Sequence, residues 1–194
     1  MHVASMWENV GMLRLEKMSS GFFSGSYSAK LDDKGRFVIP QNLRYQLVEN
    51  GRLEFSIALS MGGCLAIYKR SDIDNIVEQF RKKQHIGKFQ KFFTLFFSTL
   101  FHTTCDKVGR VTLPSALKSG VGIKSEIVIA GSLNKIELWP KEVYEKDLTR
   151  FLSGEDKGEM LGMMEEAFSM LGNEEEEVEI ENAITRVQEG TVRL

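Results

Sequence analysis

Leu31-Asp32-Asp33-Lys34-Gly35-Arg36-Phe37-Val38-Ile39-Pro40 is written a second time, 74 residues later, as Cys105-Asp106-Lys107-Val108-Gly109-Arg110-Val111-Thr112-Leu113-Pro114. Aspartate, glycine, arginine and proline all return at that one offset, which marks an internal duplication. In the first copy Tyr27–Leu31 and Arg36–Ile39 read as strands on either side of the turn. The aspartate can cap such a turn and Gly35 or Gly109 can take positive φ, so each copy predicts a β-hairpin.

Outward from the first turn, Pro40 opens a short helix with apolar positions 43, 47 and 48, ending near Asn50-Gly51. Leu53–Leu59 and Cys64–Tyr68 then read as two strands. Ser71-Asp72 starts a helix to about Gln84, with Ile73, Ile76, Val77 and Phe80 on one face. A second, phenylalanine-rich helical pattern follows from Lys88 toward Phe97, and Leu100–Cys105 leads as a strand into the second turn. Pro114–Lys118, Glu126–Ala130, Lys135–Trp139 and Pro140–Tyr144 then repeat the helix, strand, strand and helix of the first half. The expected organisation is two tandem ββαββ(α) modules in an α+β, β-rich chain. Residues 22–88 form the first with its connecting helix and 89–152 the second, between an N-terminal extension, 1–21, and a C-terminal one, 153–194.

Charge divides the chain along the same lines. Residues 21–152 carry 20 Lys and Arg against 13 Asp and Glu, a net of +7, whereas 153–194 carry 3 against 12, a net of −9. The overall −2 therefore conceals a basic body suited to a polyanion and an acidic tail. Within that tail 160–171 reads as an amphipathic helix, while Asn173-Glu174-Glu175-Glu176-Glu177 repels itself, so partial disorder is expected there. Cys64 and Cys105 lie 41 residues apart without companion cysteines, which indicates neither a disulfide framework nor a zinc site and points to a reducing cytoplasm. The apolar run Phe92–Phe101 is well short of the roughly 20 residues needed to cross a bilayer.

Catalytic patterns are weak by comparison. Gly120-Val121-Gly122-Ile123-Lys124-Ser125 imitates a phosphate loop, but the lysine lacks a preceding glycine and a strand follows where a helix is required. A turn is the simpler reading. His102 and Cys105, three apart in a strand, fall on opposite faces and do not make a nucleophilic dyad. The chain is read as carrying no enzyme activity, metal or cofactor. Phe89, Phe92, Phe93, Phe96, Phe97 and Phe101 recur at spacings of three and four, which favours core or subunit contact over base stacking.

The arginines of the turns carry the functional reading. Asp32 and Asp106, four residues before Arg36 and Arg110, can orient the guanidinium, whose planar donors suit a phosphate or the O6/N7 edge of guanine. Lys34, Lys107 and the helix bases Arg44 and Lys118 add cations for further phosphates. An Asp–Arg lock serving only the turn or a subunit contact is the competing interpretation. Val108 stands where the first copy has Lys34, so the second hairpin lacks that cation, with Lys107 as a partial substitute, and the first hairpin is expected to contribute more of the affinity.

The duplicated turns with Pro40 and Pro114, together with Phe23-Ser24-Gly25, Gly63-Cys64-Leu65-Ala66-Ile67-Tyr68 and Asn134-Lys135-Ile136-Glu137-Leu138-Trp139, resemble the MraZ family of bacterial transcriptional regulators within the AbrB-like swapped-hairpin group. The resemblance covers roughly residues 22–151. It implies two modules sharing a pseudo-two-fold swapped-hairpin barrel, a ring-like homo-oligomer, and a cytoplasmic, nucleoid-associated protein. The implied partner is double-stranded promoter DNA, bound at short direct repeats upstream of a cell-division and cell-wall gene cluster. It further implies Lys34, Arg36 and Arg110 as DNA-facing residues, with Asp32 and Asp106 orienting them.

Overall fold

A computed structural model of the chain describes residues 21–154 and 158–170. In order, the elements are β1 (Ser26–Lys30), β2 (Arg36–Val38), α1 (Gln41–Gln46), β3 (Glu54–Leu59), β4 (Leu65–Lys69) and α2 (Arg70–Lys82). The second half follows with α3 (Gln90–Thr99), β5 (Phe101–Thr104), β6 (Arg110–Thr112), α4 (Ser115–Gly120), β7 (Glu126–Ser132), β8 (Lys135–Pro140) and α5 (Lys141–Ser153). A further helix, α6, spans 158–170. These bounds follow the expected elements closely because the signals are local: Pro40 and Pro114 sit at the N-caps of α1 and α4, and alternating apolar runs make the strands.

The pairing of the strands departs from expectation. β1 and β2 flank a tight turn but do not pair with each other; β1 lies antiparallel to β7, from Ser26 opposite Ala130 to Lys30 opposite Glu126. Likewise β5 pairs with β3 of the first half, from Glu54 opposite Thr104 to Ile57 opposite Phe101. A six-stranded antiparallel sheet results, in the order β1-β7-β8-β4-β3-β5, with the leading strand of each copy on an edge built by the other half. β2 and β6 leave this sheet to form a separate two-stranded ribbon. Each expected hairpin is therefore a tight turn with diverging arms. The physical reason is burial: Leu31, Phe37 and Ile39 reach the shared core only if the two arms separate around it.

That core is drawn from both copies. Phe37, Ile39, Leu43 and Leu47 of the first, and Val111, Leu113, Leu117 and Ile123 of the second, join Ile57, Ile67, Ile129 and Leu138 of the sheet in one cluster. Burying such side chains contributes about 1.5–3 kcal/mol each, far more than a turn's own hydrogen bonds. Phe23 enters the same cluster, and its backbone bridges Leu133 in both directions at 2.7 and 3.1 Å. Gly131 permits this approach, since any Cβ there would overlap the Phe23–Ser24 backbone. Both copies, as far as Tyr144, belong to one compact unit, and the described residues from Glu145 onward belong to another.

In that second unit the 160–171 expectation is met as far as residue 170, by a helix whose Leu161, Met163, Met164, Phe168 and Met170 are exposed. The glutamate run at 174–177 and the extension 1–20 lie outside the described residues. The phenylalanine stripe is only partly core. Phe80 of α2 packs its ring against Phe92, Phe93, Phe96 and Phe97 of α3, and Phe96 is buried, but Phe92, Leu95 and Phe97 remain exposed.

Candidate nucleic-acid interface

Each Asp-x-x-Gly-Arg turn is closed by the same set of bonds, and that sameness follows from the repeated residues. The Asp32 amide donates to the Arg36 carbonyl at 2.9 Å and the Gly35 amide to the Asp32 carbonyl at 2.8 Å; Asp106, Arg110 and Gly109 repeat these at 3.0 and 2.9 Å. One carboxylate oxygen of Asp32 accepts the amides of Lys34 and Arg36, both at 2.9 Å. Asp106 does the same for Val108 and Arg110, at 3.0 and 2.9 Å. The other oxygen takes the arginine: Arg36 Nε at 2.8 Å with Nη2 at 2.7 Å, and Arg110 Nε at 2.6 Å. The Arg36 guanidinium and then its backbone amide hold the Asp32 carboxyl down at about 2. The Arg110 amide first, then its guanidinium, lower that of Asp106. Both carboxylates are therefore ionised wherever the protein works, and each fixes the direction of its arginine.

The ribbon then brings the two arginines together. In its antiparallel register Arg36 faces Thr112, Phe37 faces Val111 and Val38 faces Arg110. Phe37 and Val111 point into the core, so the alternation of a strand puts Arg36, Val38, Arg110 and Thr112 on the outer face. Arg36 and Arg110 are diagonal neighbours there, a separation of roughly 7–8 Å. The two turns are also cross-tied, the Ile39 amide to the Gly109 carbonyl and the Leu113 amide to the Gly35 carbonyl, each at 3.0 Å. One face thus displays two carboxylate-braced guanidiniums, with exposed Lys34 and Lys107 at the turn tips. The available hydrogen-bond donors on this face suit phosphate oxygens and base edges.

The other expected cations are placed differently. Arg44, on α1, donates its Nη1 to the Val108 carbonyl at 2.8 Å, so one of its nitrogens serves the opposite turn. Lys118, its counterpart on α4, is half-buried. Lys124 of the phosphate-loop imitation pairs with Glu142 at 3.1 Å in a turn that leads into β7. His102 and Cys105 sit on and just beyond β5, and His102 Nδ1 meets the Ser56 hydroxyl at 2.8 Å and the Arg70 guanidinium. Sequence reasoning missed Val38 and Thr112 as neighbours of the arginines and missed the Arg44 contact. The 74-residue offset relates equivalent positions and says nothing about which strands pair, and a backbone carbonyl acceptor leaves no mark in a sequence.

Among the described residues no group of three or more His, Cys, Asp or Glu side chains could hold a metal ion. None of the described helices is long and apolar enough to cross a membrane.

Comparison with known proteins finds the same duplication. The family described as "MraZ protein, putative antitoxin-like" matches residues 22–94 and again 96–158. A protein named Transcriptional regulator MraZ from Lachnoclostridium phytofermentans is 30% identical over 125 residues, 64% of this chain and 86% of that protein. Another of the same name, from Finegoldia magna, is 34% identical over 125 residues, 64% of this chain and 85% of its own length. With both copies matched in tandem over most of the body, the chain belongs to the MraZ family.

Proposed function

We propose that this chain is a sequence-specific, DNA-binding transcriptional regulator, acting on short direct repeats upstream of its own cell-division and cell-wall gene cluster. The observation that carries the reading is the outer face of the ribbon, where Arg36 and Arg110 stand side by side, each braced by its own aspartate. A two-stranded ribbon fits a major groove, and an arginine held through Nε keeps its far edge available to guanine or phosphate. Lys34 and Lys107 supply phosphate contacts next to that edge, and the names of the relatives agree with the role. Arg44 and Lys118 belong to the same region, Arg44 through its bond to the second turn. In this reading the exchanged strands are those of a swapped-hairpin barrel. The exposed Phe92, Leu95, Phe97 and Phe101 serve contact between copies in a ring-like homo-oligomer, in a cytoplasmic, nucleoid-associated protein. No cofactor is required.

The test is a gel shift and footprint on DNA upstream of its own gene, repeated across salt concentrations, with the Arg36→Ala/Arg110→Ala double variant beside the wild type. Loss of the footprint with the oligomer intact supports the regulator. Collapse of the oligomer in the double variant would instead make the arginines subunit contacts of a scaffold protein. Steep salt dependence without a footprint would leave a general polyanion binder.

A further inference from the structure

Arg44 sits in the last turn of α1, between Leu43 and Leu47, both fully buried in the shared core. Its guanidinium leaves the first copy altogether and donates to the carbonyl of Val108, 64 residues away in the second turn, at 2.8 Å. There it covers Gly109. A Cβ on that glycine would overlap Arg44 Nη1, and Gly109 is buried although its neighbours Val108 and Arg110 are exposed.

The opposite turn has no such cover. The position equivalent to Arg44 is Lys118, and among the described residues no hydrogen bond joins Lys118 to Lys34, the counterpart of Val108. Gly35 is half-exposed, and the nearest atom to a Cβ there is the Leu113 carbonyl oxygen at 3.6 Å. Both turns share the reciprocal Ile39–Gly109 and Leu113–Gly35 backbone ties, but only the second has a side chain from the other half of the molecule bonded to its tip.

We propose that Arg44 is a positioning residue and not a phosphate contact: it pins the tip of the second turn so that Arg110 is presented in one orientation. This rests on the regulator reading for its consequence in DNA binding, though not for the pin itself. A backbone tip that is already fixed loses less conformational freedom on binding, so the second turn carries Arg110 to a directional contact at a lower ordering cost. A guanidinium spent on a backbone carbonyl and laid over a glycine is poorly placed to neutralise a phosphate as well.

Two variants test this in the full-length protein. Arg44→Ala removes the whole side chain; Arg44→Met keeps the apolar stem and removes only the donor and the charge. Amide hydrogen exchange is read at Val108, Gly109 and Arg110, with Lys34, Gly35 and Arg36 in the same sample as the control for general unfolding. Both variants are expected to raise exchange in the second turn by about tenfold or more and to leave the first unchanged. Binding to the upstream repeats is expected to weaken several-fold with the slope of log affinity against log salt unchanged. A phosphate contact would instead lower that slope by about 1, since one fewer counterion is released. A slope change of that size overturns the proposal, and so does unaltered exchange in the second turn. If the wild type binds no specific DNA, the regulator reading fails on its own and the exchange measurement still decides the pin.

Discussion

The two turns carry the same internal hydrogen bonds and differ in what surrounds them. Gly35 is half-open and Gly109 is covered by Arg44; the ion pair is made at 2.7 Å through Nη2 of Arg36 and at 2.6 Å through Nε of Arg110. The Arg110 side chain is also the more exposed, at 44% against 31%. The residue beside each aspartate differs as well, Asp33 in the first turn and Lys107 in the second. Counting Lys34 against Val108 favours the first turn as the stronger DNA contact. From the geometry we expect the opposite order, because Asp33 offsets Lys34 while the second turn has Lys107, a backbone tip pinned by Arg44 and the more exposed arginine. Duplication supplied two copies of one turn, and the rest of the fold gave them unequal surroundings.

The largest test of this difference is stability. Gly35 and Gly109 have φ of 69° and 90°, so alanine at either is strained by about 1–2 kcal/mol. At Gly109 it must also displace the Arg44 guanidinium and break its bond to the Val108 carbonyl, adding about 0.5–1.5 kcal/mol. Denaturant unfolding of Gly109→Ala is expected to show the greater loss; equal losses would mean that the cover over Gly109 has no energetic weight.

Next in size is binding. Removal of either arginine is expected to cost about 1–3 kcal/mol of specific affinity, with Arg110→Ala costing more than Arg36→Ala in a titration of upstream DNA. The opposite order would return the leading role to the first turn and its lysine.

The smallest effect concerns the two sheet edges that the turns lead from. On the β3–β5 edge Ser56 faces His102, while on the β1–β7 edge the corresponding pair is Val128 and Ser28, with nothing to titrate. Burial, and then the Arg70 guanidinium beside it, push the His102 imidazole below its usual 6.5. Asp74, which ion-pairs with Arg70 at 3.8 Å, opposes that shift. The unfolded chain therefore binds the extra proton first, and stability should fall as pH drops from above 6.5 through the lowered value. His102→Asn is expected to flatten that part of a thermal-unfolding pH profile. Asp32 and Asp106 act the other way in origin: their contribution is complete above the ordinary carboxylate value of 3.8 and is lost as pH falls through their lowered values, about 2 for Asp32. A stability loss between pH 7 and 5 that survives in His102→Asn would place the titrating group elsewhere.

Much of this was legible in the chain itself, and the reason is range. Every bond that closes an Asp-x-x-Gly-Arg turn spans at most four residues, so aspartate, glycine and arginine at fixed spacing are enough to specify it. Pro40 and Pro114 set the helix starts in the same local way, and alternating apolar residues set the strands. The partners of β1, β2 and β5 are distant in sequence, from Ile57 with Phe101 to Ser26 with Ala130, and the alternation that makes a strand does not name its neighbour. Only burial of both copies' side chains in one core sends β1 to β7, β5 to β3 and β2 to β6, and that choice alone brings Arg36 beside Arg110. The reach of Arg44 to Val108 was decided at the same level, since its acceptor is a backbone carbonyl that any residue possesses.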